Sequence, residues 1–390
     1  MDISRRRLLA LIAASAVDQF FPRRANGLIS GAAAAARDRG PRAIVLACGG
    51  LRRNETFSES GIANIPNLYG QLLSRGTFFS SVRNAGVTSH YNTTSSILTG
   101  NWQRLDDWGK TPPQSPTIFE YTRKDLRLRQ DEVWFISSNK ALTSQIGASS
   151  DRHYGPPWGA NVVFPKQLLI NAVVNAASQG RSSSSAARDT MQPELAAMLE
   201  SSNYEGLGWS VESSGGVPDP RISAAVLQAI EDLIRTHDPV TGDEFTFLLT
   251  TEVMRRFSPS LLVVSFSDME VAHFGSYSLH LAGIRTLDRL VGELWNEIEA
   301  NPDYRSRTTL FVLPEFGRDL DGSPTNGFFN HRLDNDSTRL TWMLCLGAGA
   351  APGLLVERPI QHVDLCPTIL KMFGMGAPEM QGVSLPEVRI

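Results

Sequence analysis

The feature that most constrains the fold is an alternation of short apolar runs with segments of helical spacing. Leu261–Phe266 and residues 309–313 are apolar runs typical of strands that are buried on both faces. Between them, residues 278–299 carry apolar side chains at helical intervals. Strands that alternate with helices predict an α/β fold, with a mostly parallel central sheet sandwiched by helices. Ligands in such folds bind at the carboxyl ends of the strands.

The remaining elements extend this pattern along the chain. Further strands are predicted at residues 43–47, 77–79, 133–136 and 342–346, and helices at residues 65–75, 90–98 and 364–372. Gly100 is the predicted stop of the helix at 90–98. Residues 41–390 are therefore predicted to form one α/β domain. It is interrupted at about 147–251 by an irregular insertion or lid with a helical run at 224–234.

Composition excludes several classes of protein. The 390 residues are 42% hydrophobic with a formal net charge of −3, which argues against a nucleic-acid partner. The three cysteines, Cys48, Cys345 and Cys366, are too few for a disulfide framework and are predicted to be buried thiols. A redox role for Cys48 is disfavoured because the chain has no Cys-x-x-Cys pair.

The first forty residues have the features of an export signal and a linker. Arg5, Arg6 and Arg7 precede an apolar run that ends in small residues at Ala16, and paired arginines suggest the twin-arginine route. The alternative is a basic helix of the mature protein. We predict an exported protein, periplasmic or extracellular, with no membrane-spanning segment beyond the signal.

Polar loops adjoin three of the predicted strands at one edge of the sheet. Their carboxylates and imidazoles form a ligand mixture that suits zinc, manganese or iron. The loops contribute Asp268, Glu270 and His273, then Glu315 and Arg318, and finally His331 and Arg332.

Each of these residues also has a structural interpretation. Asp268 could cap a helix or a loop, and His273 could be a surface or a hydrogen-bonded core histidine. Glu315 could be an ion-pair partner of Arg318.

Several segments, taken in order, resemble the alkaline phosphatase superfamily, which includes sulfatases and nucleotide pyrophosphatases. They are residues 65–68, 75–79, 98–100, 266–273 and 363–368. The loop Glu315-Phe316-Gly317-Arg318 is also similar to that of exported, uncharacterised bacterial proteins related to sulfatases. The resemblance implies an alkaline-phosphatase-like fold and a divalent metal ion, which could be zinc, manganese or calcium. It also implies an anionic small-molecule or glycan ester as substrate.

The resemblance also implies metal ligands. Asp268, His273 and His331 match the ligands of one metal site, with Glu270 as a possible substitute because the Asp–His spacing is one residue longer than in the family. The other site is degraded, because Gly49 stands where the first strand should end in Asp. Glu315 and Phe316 stand there for an Asp–His pair, and Glu315 is kept as a candidate ligand.

The nucleophile position of the family falls on His90, which could be a nucleophile, a base or a second-site ligand. Thr88, Ser89, Thr93 and Thr94 are neighbouring hydroxyl candidates, unless Thr88, Ser89 and Asn92 only cap the helix. Formylglycine chemistry is disfavoured, since the helix has no Pro or Arg. Arg318 or Arg332 could neutralise an anionic substrate.

Two functions follow from the sequence. The first is an exported metal-dependent hydrolase of a phosphate or sulfate ester, with one intact metal site. The second is a non-catalytic relative that binds an anionic glycan or a protein in the cell envelope.

Overall fold

The computed structural model describes residues 40–165, 241–376 and 378–389. Two compact units divide the chain, one of them formed by Gly40–Phe164 and Val253–Ile390. Of the other unit, only Pro165 and residues 241–252 are described, and the latter form most of helix α3 (Gly242–Phe257). The predicted signal, nearly all of the predicted linker and the helical run at 224–234 lie outside the described residues.

A nine-stranded sheet forms the centre of the first unit, in the order β4-β3-β5-β1-β6-β7-β2-β8, with β9 beside β2. Its strands are β1 (Arg42–Cys48), β2 (Thr77–Arg83), β3 (Val133–Ser137), β4 (Asn161–Val163), β5 (Leu261–Phe266), β6 (Thr308–Pro314), β7 (Leu340–Gly347), β8 (Leu354–Val356) and β9 (Ile360–Gln361). The other described helices are α1 (His90–Thr99), α2 (Ile118–Lys124), α4 (Tyr277–Ala300), α5 (Asp336–Arg339) and α6 (Leu365–Met372).

The sheet is mixed but mostly parallel, which confirms the predicted fold class. Only β7 runs antiparallel to its neighbours, β6 and β2, among the paired strands of the described chain. The carboxyl ends of β1, β2, β5 and β6 therefore lie at the same edge as the amino end of β7. The loops that hold the candidate site residues adjoin this edge.

The core lies on both faces of the central strands. Every residue of β1, β5 and β6 is buried, as expected for parallel strands covered on both sides. Val45, Val263 and Phe311 pack in one cluster with apolar residues of α1, α2 and α6. Their neighbours along the strands, such as Ile44 and Val264, are buried on the opposite face of the sheet. Each such aliphatic side chain contributes about 1.5–3 kcal/mol by its burial.

Most of the predicted elements are present, with one correction. Residues 66–75 are helical but do not form a regular α-helix: the α-helical residues 66 and 67 lead into a π-helical turn at Leu68–Leu72 and a 3₁₀ turn at Leu73–Arg75. Gly70 lies in the interior of this segment, where glycine lowers the α-helical propensity. The strands β4, β8 and β9 were not predicted, because runs of two or three residues carry almost no periodic signal.

The structure also gives the environment of the cysteines and the hydropathy of the helices. Cys48, Cys345 and Cys366 are buried free thiols, as predicted, and burial raises the pKa of the Cys345 and Cys366 thiols. Within the described ranges, no helix is both long and apolar enough to cross a membrane.

Candidate metal centre

Four side chains converge at the edge of the sheet where β1, β5 and β6 end. They are His90, Glu270, His273 and His331, and one donor atom from each lies within 4.8 Å of the other three. His90 Nε2 is 3.0 Å from Glu270 Oε2, and His273 Nε2 is 3.2 Å from the same oxygen. His331 Nε2 is 3.3 Å from His273 Nε2. We call this group the four-donor cluster.

Three separate segments bring these residues together. His90 is the first residue of α1, which follows β2. Glu270 and His273 lie in a 3₁₀ segment, Asp268–Phe274, that follows β5 and ends at Gly275 in the left-handed conformation. His331 lies in the loop before the short helix α5, which leads into β7, and β7 starts at this edge because it is antiparallel to β6.

The cluster fits a divalent transition metal. A tetrahedral ion with ligand bonds of about 2.0–2.1 Å places its ligand atoms roughly 3.3 Å apart. The three distances given above, 3.0, 3.2 and 3.3 Å, are close to this value. His90 Nε2 is buried and makes no acceptable hydrogen bond with the described residues, although Glu270 Oε2 is 3.0 Å away. An ion among the four atoms would satisfy this nitrogen, which otherwise carries a desolvation cost.

Second partners fix the orientation of two of the imidazoles. His90 Nδ1 lies 2.6 Å from Glu315 Oε2, and Thr94 donates its hydroxyl hydrogen to Glu315 Oε1. His331 Nδ1 lies 2.6 Å from the carbonyl oxygen of Thr88. With a proton on each Nδ1, both Nε2 lone pairs point to the cluster, an arrangement common among metal-bound histidines.

Glu270 fills a space that the end of β1 leaves open. Its Oε1 accepts the N–H of Gly50 at 2.7 Å, and its Oε2 accepts from Arg318 Nη2 at 2.5 Å. A Cβ atom added to Gly49 would lie 2.2 Å from Glu270 Oε1. The carboxylate therefore occupies the volume that a side chain at position 49 would need.

Burial and neighbouring charges shift the pKa values of three residues of the cluster. Burial alone would lower the pKa of His90, but Glu270 and Glu315 outweigh it and raise that pKa well above 6.5. Burial would raise the pKa of Glu270, but Arg318 and His90 hold it well below its usual range. Burial, with His90 and Arg318, lowers the pKa of His331. The carboxylates thus favour the charged form of His90, whereas burial and the neighbouring positive charges favour the neutral form of His331.

The predicted hydroxyl candidates mostly have fixed acceptors. Thr88 Oγ1 donates to the His331 carbonyl oxygen at 2.8 Å, and Thr93 Oγ1 donates to the Val87 carbonyl oxygen at 3.2 Å. Ser89 is the N-cap residue of α1, but its side chain makes no capping bond within the described chain and accepts instead from Asn92 Nδ2 at 2.8 Å. The interpretation of Ser89 as a capping side chain is therefore wrong.

Three of the charged candidates have positions or contacts that differ from those expected from the sequence. Asp268 begins the 3₁₀ segment and is not part of the four-donor cluster; the carboxylate in the cluster is that of Glu270, which lies against Gly49. Glu315 contacts His90 rather than the centre of the cluster. Arg318 pairs with Glu270 and not with Glu315, so the alternative interpretation of Glu315 as an ion-pair partner of Arg318 is wrong.

The two arginines proposed for an anionic substrate lie in different environments. Arg318 is 0% exposed, and its guanidinium bonds to protein oxygens. Arg332 is exposed, with Nη1 4.0 Å from Asp107 Oδ2. The sequence signal for Glu270 was the extra residue between Asp268 and His273, together with the missing carboxylate at Gly49. Nothing local in the sequence marked the contacts of Thr88 and Thr94.

Comparison with known proteins identifies the fold. No protein-family model matches the chain, and no curated protein matches it in sequence. A mutant of the alkaline phosphatase PafA is 13% identical over 90% of this chain and 100% of its own, with a TM-score of 0.54. An alkaline phosphatase superfamily protein from Vibrio parahaemolyticus is 14% identical over 100% of this chain and 80% of its own, with a TM-score of 0.51.

A third solved structure extends the comparison. The phosphonate monoester hydrolase of Silicibacter pomeroyi is 15% identical over 88% of this chain and 76% of its own, with a TM-score of 0.51. At these identities the likeness is one of fold. The chain has the alkaline-phosphatase-like fold that its sequence predicted.

Proposed function

We propose that the chain is a divergent alkaline phosphatase superfamily member, exported from the cell, and that it hydrolyses a phosphate or sulfate ester with one divalent metal ion. The observation that carries the proposal is the convergence of three imidazoles and one carboxylate at the carboxyl edge of the sheet. An alkaline phosphatase and a phosphonate monoester hydrolase with this fold support an anionic ester as substrate.

The donor set favours zinc or manganese over calcium, because calcium takes oxygen ligands. His90, Glu270, His273 and His331 would hold the ion. Once bound, it would polarise an ester oxygen or lower the pKa of a water molecule. An ion that takes five or six ligands would leave room for water or substrate beside these four donors.

Residues around the cluster would orient it and attract the substrate. Glu315 and the Thr88 carbonyl group hold the imidazoles of His90 and His331. The amino end of α1 lies at the cluster, and the first N–H groups of a helix favour anions. Arg332 has an exposed guanidinium that would attract a negatively charged ester from solvent.

The nucleophile in this proposal is water, which His90 cannot deprotonate while it binds the ion. The hydroxyls of Thr88, Thr93 and Thr94 donate to fixed acceptors, so none of them is poised for attack. Ser89 is the remaining hydroxyl candidate. If water attacks, Ser89→Ala retains most of the activity, whereas a covalent serine mechanism would lose nearly all of it.

The test is hydrolysis of aryl phosphate monoesters, phosphate diesters and sulfate esters by the protein purified from its exported fraction. We expect turnover by the zinc- or manganese-loaded protein, and at least about a 100-fold loss in His331→Ala and Glu270→Gln. His153→Ala is the matched control, since His153 is exposed and outside the cluster. A metal-loaded protein that cleaves none of these esters would overturn the proposal.

A second candidate function is a non-catalytic protein that binds an anionic ligand in the cell envelope. The observation in its favour is that four protein donors can close the shell of a tetrahedral ion, as they do in structural zinc sites. This candidate predicts one tightly bound ion and no turnover. His331→Ala would then lower stability without a loss of any measurable activity.

A further inference from the structure

The guanidinium of Arg318 donates to four oxygen atoms of the described chain, which we call the oxygen shell. Its Nε donates to the Gly50 carbonyl oxygen at 2.8 Å, and its Nη1 donates to those of Phe328 and Phe329 at 3.2 and 3.5 Å. Its Nη2 donates to Glu270 Oε2 at 2.5 Å. The side chain is 0% exposed, so this positive charge is permanently enclosed beside the four-donor cluster.

Two larger side chains lie close to Gly49 and Gly50. A Cβ atom at Gly50 would lie 2.8 Å from Phe316 Cε2, and one at Gly49 would lie 2.2 Å from Glu270 Oε1. The Phe316 ring also stacks on His331, with ring centroids 4.2 Å apart. Gly49, one of the positions at which the family resemblance implies a second metal site, thus lies against Glu270, which in turn pairs with Arg318.

The ligands of Arg318 are those of a hard cation. Carbonyl and carboxylate oxygens are the groups that calcium and magnesium take in proteins. A buried carboxylate also requires a positive partner, because an unpaired buried charge is very costly. The guanidinium supplies this charge to Glu270 with fixed geometry, and needs no ion from solution.

We infer that the guanidinium of Arg318 is a built-in second cation of the centre, and that the chain therefore binds a single divalent ion. The binding of a single ion rests on the proposed metal site. Arg318 is then a positioning residue that holds Glu270, and not a substrate-binding residue as the sequence suggested.

The first experiment counts metal ions per chain by elemental analysis after exposure to zinc or manganese and dialysis. One ion per chain is the expected result, and two ions in the wild-type protein would overturn the inference. No bound ion would overturn the proposed function and the single-ion clause. The role of Arg318 as a cation would then be decided by the second experiment, which does not need the four-donor cluster to be loaded.

The second experiment removes the guanidinium from the oxygen shell. In chelator-stripped protein, Arg318→Ala is expected to gain one Ca²⁺ per chain relative to the wild type in a calorimetric titration, because four oxygens lose their cation. Arg318→Lys keeps a positive charge and should gain none. Absence of any gain in a folded Arg318→Ala protein would overturn the inference.

A matched control separates this effect from the loss of any buried arginine. Arg42 is also buried, and it donates to the carbonyl oxygens of Ser258, Pro259 and Asp303 but to no carboxylate in the described chain. Arg42→Ala should gain no Ca²⁺. If Arg318→Ala does not fold alone, folding that requires Ca²⁺ supports the inference. If Arg318→Ala stays unfolded even with Ca²⁺ and Arg318→Lys unfolds too, a positive charge is not what the shell requires, and the inference is overturned.

Discussion

At the scale of single residues, the metal centre depends on Gly49, because the absence of a side chain there leaves room for the Glu270 carboxylate. A side chain at position 49 and the Glu270 carboxylate compete for the same volume. We expect Gly49→Asp to displace Glu270 and weaken metal binding at least about tenfold, because one donor is lost. Gly49→Asp combined with Glu270→Ala should recover most of the affinity, since a carboxylate returns to that volume. Competition titration with a chelator measures both changes.

Gly70→Asp is the control for this exchange. Nothing in the described chain lies within 4 Å of a Cβ atom built at Gly70, so the new side chain meets open space and metal affinity should not change. If the double variant binds metal no better than Gly49→Asp alone, the two positions are not interchangeable and the exchange is contradicted.

At the scale of elements, α1 shows what the sequence can and cannot predict. Its bounds were predicted because the stop signal is local: Gly100 ends the helix in the left-handed conformation, with a φ of 69°. The partners of its polar side chains were not predicted. Thr94 meets Glu315, a residue 221 positions away, and only the sheet register brings the two together.

A variant of α1 tests whether this contact supports the metal centre. Thr94→Val keeps the shape of the side chain but removes the donor to Glu315 Oε1, leaving a buried carboxylate oxygen without that bond. We expect a loss of about 1–3 kcal/mol in the free energy of unfolding. Metal affinity should fall roughly 10- to 100-fold, because Glu315 orients His90. Urea unfolding of the stripped protein and a chelator titration measure the two effects.

Ser95→Ala is the neighbouring control for Thr94→Val. Ser95 Oγ is buried and has no hydrogen-bond partner in the part of α1 and its surroundings that the structure describes. Its removal should leave both stability and metal affinity close to those of the wild type. Equal effects of the two substitutions would mean that the Thr94–Glu315 bond does not act on the centre.

At the scale of the whole molecule, strand order decides which loops meet. The sequence predicted that polar loops share one edge, since parallel strands end together. It placed Asp268 in the centre and kept Glu270 as a possible substitute, because the choice depends on where each carboxylate lies relative to the end of β1. The position of the Glu270 carboxylate over the end of β1 follows from the pairing of β1 with β5 and from the 3₁₀ segment after β5. Neither of these features leaves a local pattern in the sequence.

The ligand segments are distant in sequence, so a bound ion should stabilise the unit as a whole. An ion that binds only the folded state at about 1,000 times its dissociation constant adds roughly 4 kcal/mol. For a unit of this size, removal of the ion should lower the Tm by about 10 °C. Calorimetry with zinc or manganese, and then with excess chelator, measures the difference. His331→Ala should abolish it, since His331 comes from a different loop than Glu270 and His273. An equal difference in that variant would place the stabilising ion elsewhere.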